Sequence, residues 1–188
     1  PVSLATFDPD GAGLQPDRLI ACWQFTQSGN IGAVNIASWD GLAWSSLGGG
    51  FNQGIEAMAI FDPDGDGPAP PELYAGGRFI RTPDGPARGL ARWDGAHWHA
   101  LSSELSAPYD VRVTDFTLWD PDGTGPAAEL LVVVGWFTSA GGLPANGIVA
   151  WDGAAWRSVG DPAMGVTAVT SWDPDGLGPI LPRLVAAG

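Results

Sequence analysis

Residues 55–67, IEAMAIFDPDGDG, and residues 93–98, WDGAHW, contain the two motifs that decide the fold. The first motif, Asp-Pro-Asp-Gly, recurs at intervals of 54, 58 and 53 residues, beginning at Asp8, Asp62, Asp120 and Asp173. The second, Trp-Asp-Gly-x-x-Trp, recurs at intervals of 54 and 58 residues, beginning at Trp39, Trp93 and Trp151. Because the two series stay in step, the chain is a tandem array of units of about 54 residues, a period typical of solenoids and propellers.

Each unit carries four short strand signals. In the second unit we predict strands over residues 55–61, 73–79, 89–93 and 98–101. The runs are rich in β-branched and aromatic residues and are bounded by Gly, Pro or Asp, and Asp94-Gly95 is a strong signal for a tight hairpin. No segment shows a sustained helical period. Four antiparallel strands per unit predict an all-β fold, a β-propeller built of four-stranded blades.

The repeat divides the chain into about 3.5 blades. We predict a single propeller array over residues 1–188, with blades at 1–54, 55–110 and 111–165 and a partial blade at 166–188. Propellers have four to eight blades, so we expect the remaining blades to come from the same longer chain or from another subunit. The paired Trp residues are expected to pack between neighbouring blades.

Two segments carry a family resemblance. Residues 73–79, LYAGGRF, followed by GLARWDG at 89–95, and residues 134–153, VGWFTSAGGLPANGIVAWDG, resemble the delta-60-type and kelch-like propeller repeats of bacterial secreted and cell-surface proteins. A similar pattern occurs in the ectodomains of fungal cortical markers. The resemblance covers essentially the whole chain. It implies a propeller and an extracellular or cell-surface location, and it implies little about activity.

The composition favours a folded, acidic protein. Hydrophobic residues make up 45% of the 188 residues and charged residues only 15%, which is compatible with a buried core. The formal net charge is −13, and twelve of the Asp residues lie in the two motifs. Such a field repels nucleic acid and anionic membranes, and no run of apolar residues is long enough to span a bilayer. The single cysteine, Cys22, is expected to pack as a small apolar residue.

The sequence Asp62-Pro63-Asp64-Gly65-Asp66-Gly67 places carboxylates at positions 1, 3 and 5 of a loop. Alternate oxygen ligands followed by Gly suit a hard cation, and the loop resembles the calcium loops of integrin-type propeller blades. A plain β-turn, in which Pro sets φ and Asp binds its own backbone, explains the same residues. We therefore hypothesise Ca²⁺ as a cofactor, held by Asp8, Asp10, Asp62, Asp64, Asp66, Asp120, Asp122, Asp173 and Asp175.

A catalytic set is not evident. His97 and His99 are predicted on one strand face, but no third metal ligand is suggested near them, and solvent-facing polar residues explain the pair. With one Cys, no Lys and two neighbouring His, nucleophile–base sets are poorly supplied. Carboxylate pairs recur with the turns, whereas a catalytic pair is expected to break the repeat. The enzyme question stays open, and the balance favours a non-enzymatic protein.

Departures from the repeat are better clues to binding. The second unit has an insertion at 102–110, which includes Pro108 and Tyr109, and inserted loops often form binding faces. It also carries half of the arginines, which suit recognition of a carboxylate or an acidic sugar or serve as dispersed surface charge: Arg78, Arg81, Arg88 and Arg92.

Three functions remain open. The first is a scaffold or interaction module of a secreted or cell-surface protein, stabilised by calcium, with a protein or glycan partner. The second is a carbohydrate-binding propeller that uses exposed aromatic residues. The third is the propeller portion of a larger secreted enzyme.

Overall fold

The computed structural model describes residues 3–11, 13–28, 31–65, 67–101, 105–123, 127–160, 165–176 and 178–188. Throughout these residues the chain is all-β, and every strand pair is antiparallel. The described part of the chain contains no helix long and apolar enough to cross a membrane. The all-β prediction is therefore confirmed.

The strands are short and follow one another in the order that the repeat predicts. In chain order they are β1 (Ser3–Phe7), β2 (Arg18–Cys22), β3 (Gln27–Ser28), β4 (Ile31–Gly32), β5 (Ile36–Trp39), β6 (Trp44–Ser46), β7 (Ile55–Phe61), β8 (Glu72–Gly77), β9 (Arg81–Thr82), β10 (Gly85–Pro86), β11 (Leu90–Trp93), β12 (Trp98–Ala100), β13 (Leu105–Ser106), β14 (Arg112–Trp119), β15 (Leu130–Trp136), β16 (Ser139–Ala140), β17 (Leu143–Pro144), β18 (Ile148–Trp151), β19 (Trp156–Arg157), β20 (Ala168–Trp172) and β21 (Arg183–Ala187).

Three sheets share one topology. Sheet I has the order β1-β2-β5-β6, sheet II has β7-β8-β11-β12 and sheet III has β14-β15-β18-β19, while sheet IV consists of β20 and β21. The four strands predicted for the second unit are present, with ends that differ by one or two residues. The small ribbons that follow the second strand of sheets I to III, such as β9 with β10, were not predicted, because two-residue strands carry no periodic signal.

The Trp-Asp-Gly motif forms the same hairpin in sheets I, II and III. Its first Trp lies opposite a leucine of the second strand, in the pairs Leu19–Trp39, Leu73–Trp93 and Leu131–Trp151. The motif Asp accepts two backbone N–H groups, from Ala96 and His97 at 2.9 and 2.8 Å in sheet II. The Gly follows with a positive φ, +97° at Gly95, which explains its place in the motif.

The sheets pack face to face, and each contacts the next through its first strand, β1 with β7, β7 with β14 and β14 with β20. Three apolar clusters fill the three interfaces. Because successive side chains of a strand point to opposite faces, Leu131 and Val133 of β15 pack towards sheet II while Val132 and Val134 pack towards sheet IV. This burial on both faces explains why β15 is an unbroken apolar run.

The interface between sheets I and II shows where the conserved pattern of aromatic residues goes within the repeat. The Phe51 ring makes edge contacts with Phe79 and Trp98 at centroid distances of 4.6 and 4.7 Å. The buried Trp98 Nε1 donates a hydrogen bond to the Leu47 carbonyl oxygen at 3.2 Å. Trp93, Trp98 and Trp151 are buried, so their predicted packing between units is confirmed. Cys22 is fully buried in the same cluster, as predicted.

The two repeated motifs meet across neighbouring units. Gly153, in the Trp-Asp-Gly turn of sheet III, lies against Pro63 of the preceding Asp-Pro-Asp-Gly turn, so that a Cβ on Gly153 would be 2.5 Å from the Pro63 Cβ. Gly95 lies in the same way near the Pro9 carbonyl oxygen, which would be 3.5 Å from an added Cβ. Within the described residues the sheets form a row that does not close into a ring. The propeller and its blade boundaries therefore stay predictions.

Candidate functional site

A cleft lined by aromatic and charged residues opens between sheets II and III. We call it the aromatic–arginine cleft; its volume is about 420 Å³, and it is lined by Gln53, Arg78, Tyr109, Asp110, Arg112 and Trp136. Tyr109 is 90% exposed and Trp136 is 51% exposed, so two large rings present their surfaces to solvent. Exposed aromatic residues that converge on one cleft mark a site for a ligand or partner.

The inserted segment of the second unit holds Tyr109 at this cleft. Leu105 of β13 is buried and pairs with Ala140 of β16. The Ser106 carbonyl oxygen accepts hydrogen bonds from the backbone N–H and the Oγ1 of Thr138, at 2.8 and 3.2 Å. These contacts fasten the segment to the ribbon after β15. The loop at 107–110 therefore borders a smaller apolar pocket of about 80 Å³ beside Trp136.

One carboxylate organises the two guanidinium groups of the cleft. Glu56 lies at a bulge of β7, where the register shifts between Ile55 and Ala57. It accepts hydrogen bonds from Arg112, at 2.9 and 2.8 Å, and from Arg78, at 2.9 Å. Two positive charges thus share one negative charge, and Asp110 lies in the same lining. The shared carboxylate orients both guanidinium groups and leaves them with unshared donors for a ligand.

The chemistry of the cleft is suited to binding. Trp, Tyr and Arg are the residues that most often dominate the energy of protein interfaces, because they offer large area together with directed hydrogen bonds. Gln53 adds an amide that both donates and accepts hydrogen bonds. The lining combines one carboxylate and two guanidinium groups with no His, Cys or Ser, which supplies no nucleophile–base pair.

The Asp-Pro-Asp-Gly turns use their carboxylates to bind their own backbone. The first Asp of each turn accepts the N–H of the second Asp at 3.1–3.2 Å, and the second accepts the N–H five residues further on at 3.0–3.2 Å. The residues in these bonds are Asp8 and Asp10, Asp62 and Asp64, Asp120 and Asp122, and Asp173 and Asp175. This is the hydrogen bonding of a self-contained turn.

A glycine in each turn makes room for the second carboxylate. A Cβ added to Gly13, Gly67 or Gly178 would lie 2.0 Å from the Oδ2 of Asp10, Asp64 or Asp175, respectively. The Gly at the sixth position of the loop is therefore explained by the position of the carboxylate.

The cation hypothesis finds partial support in the geometry. Asp66 lies outside the described residues, and among the described residues no group of three or more His, Cys, Asp or Glu side chains is arranged to hold a metal ion. The Oδ1 atoms of Asp10 and Asp122 are buried and make no hydrogen bond. Burial, followed by the neighbouring Asp64 side chain, raises the pKa of Asp62, as expected for carboxylates held close together. These oxygen atoms are the kind that a hard cation binds.

The two histidines belong to a turn. His97 precedes β12, and its backbone N–H donates to Asp94. The His99 Nε2 lies 2.6 Å from the Asp94 Oδ2. Burial opposes ionisation of Asp94, but the N–H groups of His97 and Ala96 and the His99 ring outweigh it and lower the pKa of Asp94 to about 2. His99 thus supports a hairpin and has no described partner that would complete a metal site.

The four arginines of the second unit do not form one cluster. Arg78 follows β8 at the aromatic–arginine cleft, whereas Arg92 lies opposite Tyr74 near the start of β8 and pairs with Glu72. Arg81 and Arg88 are exposed. The interpretation as dispersed surface charge fits this arrangement better than a common anion site.

Sequence reasoning missed Trp136 and Arg112, which complete the cleft. The available signal was a break in the repeat, because the position of Trp136 is occupied by Gln24 in the first unit and by Arg78 in the second. The insertion with Tyr109 was singled out, and the structure places it beside Trp136. Comparison with protein-family models, curated proteins and solved structures finds no match for this chain.

Proposed function

We propose that the chain is a non-enzymatic interaction module of a secreted or cell-surface protein, with a propeller-type arrangement of its sheets. Its partner, a protein in this proposal, is bound at the aromatic–arginine cleft. The observation that carries the proposal is the exposure of Trp136 beside Tyr109, with Arg78 and Arg112 oriented by Glu56. The row of sheets with shared topology supports the propeller-type arrangement, since inserted loops of such scaffolds commonly bind partners.

The proposal is tested with two tryptophan variants of matched exposure. Trp136 in the cleft is 51% exposed, and Trp23, away from the cleft, is 49% exposed. The wild-type chain is screened against an array of extracellular proteins, and each hit is measured again with Trp136→Ala and Trp23→Ala. We expect Trp136→Ala to weaken binding by about 2 kcal/mol or more, roughly thirtyfold, and Trp23→Ala to leave it unchanged. Equal losses for the two variants, or no loss, would contradict the role of the cleft.

A carbohydrate ligand is the second candidate. The cleft volume of about 420 Å³ falls within the range of small-molecule sites. Two aromatic faces beside amide, carboxylate and guanidinium groups also suit a sugar, which stacks its apolar face and hydrogen-bonds its hydroxyl groups. A glycan array probed with the wild-type chain discriminates the two functions. Glycan binding that Trp136→Ala abolishes favours the carbohydrate ligand, and an array without signal favours the protein partner.

We also propose that Ca²⁺ stabilises the Asp-Pro-Asp-Gly loops, on the support of the buried, unpartnered Oδ1 atoms of Asp10 and Asp122. A ligand that binds the native state raises the melting temperature. Thermal melts in excess EDTA and then in millimolar Ca²⁺ test this. We expect a rise of several degrees that is reduced in the Asp10→Asn, Asp122→Asn double variant. Identical melts in EDTA and Ca²⁺ would show that the loops are plain turns.

A further inference from the structure

The second strand of sheet IV has an unpaired edge within the described residues. In sheets I, II and III the second strand, β2, β8 or β15, pairs with the first strand on one side and with a Trp-Asp-Gly hairpin on the other. In sheet IV, β21 pairs with β20, and no described strand lies on its other side. An unpaired strand edge offers its N–H and C=O groups to another strand.

A cleft lies beside this edge. We call it the terminal cleft; its volume is about 500 Å³, and it is lined by Pro121, Ala127, Ala128, Leu130, Asp152, Ala154 and Arg157. Pro121 belongs to the third Asp-Pro-Asp-Gly turn, and Arg157 forms an ion pair with Asp152 at 2.5 Å. The terminal cleft is separate from the aromatic–arginine cleft and shares no lining residue with it.

The repeat contains an occupied counterpart of the terminal cleft. Pro121, Leu130 and Arg157 are the repeat counterparts of residues 58 positions earlier, Pro63, Glu72 and His99. Those earlier residues line the interface of sheets II and III together with Trp151, Gly153 and Ala154, which belong to the hairpin of sheet III. Where the chain supplies the next hairpin, that hairpin covers this surface, and its Gly153 packs on Pro63.

We propose that the edge of β21 and the terminal cleft together bind a β-hairpin of the Trp-Asp-Gly-x-x-Trp type, presented by another polypeptide. The register follows from the three complete sheets, in each of which the first Trp lies opposite a leucine. Leu184 is the corresponding leucine of β21, because it pairs with Ser171 as Leu131 pairs with Leu118. The Trp of the hairpin therefore lies opposite Leu184, and its Gly turn packs on Pro121.

The probe is the chain's own third hairpin, a synthetic peptide of residues 145–158, ANGIVAWDGAAWRS, added to the full chain. We expect saturable binding, with hydrogen-exchange protection of alternate amides of β21 (Arg183–Ala187). A control peptide with Trp151→Ala is expected to bind at least about tenfold more weakly, since it lacks the ring that the interface buries. Equal binding of both peptides, or protection at β6 or β12 instead, overturns the proposal.

A covalent version removes the cost of ordering a free hairpin, which is marginally stable alone. Gly188 is the repeat counterpart of Gly135, so residues 136–158 are appended directly after Gly188 in register. We expect a melting temperature higher by several degrees and protected β21 amides, and neither effect when the appended copy carries the Trp151→Ala change. A peptide that does not bind and an appended hairpin that does not stabilise overturn the proposal together. Protection of β21 that depends on chain concentration without peptide also overturns it, because a second copy is then the occupant.

Discussion

Gly76 occupies a position in β8 where sheets II and III approach most closely. A Cβ added there would lie 2.4 Å from the Val113 Cγ1 and 2.7 Å from the Phe116 Cζ, both in buried side chains of the neighbouring sheet. The φ of Gly76 is outside the left-handed region, so backbone strain does not contribute. The substitution Gly76→Ala therefore tests the packing of the two sheets alone.

The expected loss is worked from two opposing terms. Overpacking a close-packed core costs about 1–3 kcal/mol, and the upper part applies because the Val113 Cγ1 cannot swing away without moving its strand. Replacing Gly lowers the entropy of the unfolded chain and returns about 0.4–1 kcal/mol. The net destabilisation is about 2 kcal/mol, which corresponds to a melting temperature lower by about 4–8 °C for a chain of this size.

Urea unfolding followed by tryptophan fluorescence measures the change as a shift of the midpoint at constant slope. Gly32→Ala is the matched control, because Gly32 also lies in a strand and an added Cβ there meets nothing within 4 Å. The control is expected to change stability by less than about 0.5 kcal/mol. Val113→Ala should recover part of the loss in the double variant. If Gly76→Ala were as stable as the wild type, the close face-to-face packing of sheets II and III would be refuted.

Three further results are expected. Asp94 has a pKa of 3.8 in a model peptide and about 2 in the folded chain, so the stability it contributes is present above pH 3.8 and is lost as the pH falls towards 2; acid unfolding of Asp94→Asn against the wild type measures this, and matching profiles would contradict it. Burial raises the pKa of Cys22 to about 12, so a thiol reagent at pH 8 should react only after unfolding in urea, and rapid reaction of the native chain would contradict its placement. Trp98→Phe should destabilise the chain by about 1–2 kcal/mol, because the Leu47 carbonyl oxygen loses its buried donor, and calorimetry that shows no change would count against that bond.

The strands of the repeat could be predicted because their signals are local. Asp94-Gly95 specifies a tight turn, and alternation of side chains along β7 and β8 specifies strands, so the four strands of the second unit were found. The two-residue ribbons depend on tertiary packing, and no local pattern marks them. The loop Asp residues were correctly recognised as turn residues, but the carboxylate that fills the space beside Gly67 is visible only in three dimensions.

The aromatic–arginine cleft could be predicted only in part. The insertion around Tyr109 breaks the repeat, which drew attention to it. The contribution of Trp136 and Arg112 depends on the pairing of β14 with β15, which places the two residues opposite each other at one end of sheet III. The sharing of Glu56 between Arg78 and Arg112 depends on a β-bulge, and single-sequence patterns do not reveal bulges.

The central claim is that successive units stack so that the Trp-Asp-Gly turn of one unit covers the Asp-Pro-Asp-Gly turn of the unit before it. Both clefts and the hairpin-binding edge depend on this stacking. The most direct measurement is the nuclear Overhauser effect between protons of Pro63 and Gly153 in the labelled, intact chain. The account predicts a strong cross-peak between the Pro63 side chain and the Gly153 Hα protons, since a Cβ on Gly153 would lie 2.5 Å from the Pro63 Cβ. A Pro63 spin system that shows cross-peaks only within its own loop would contradict the account.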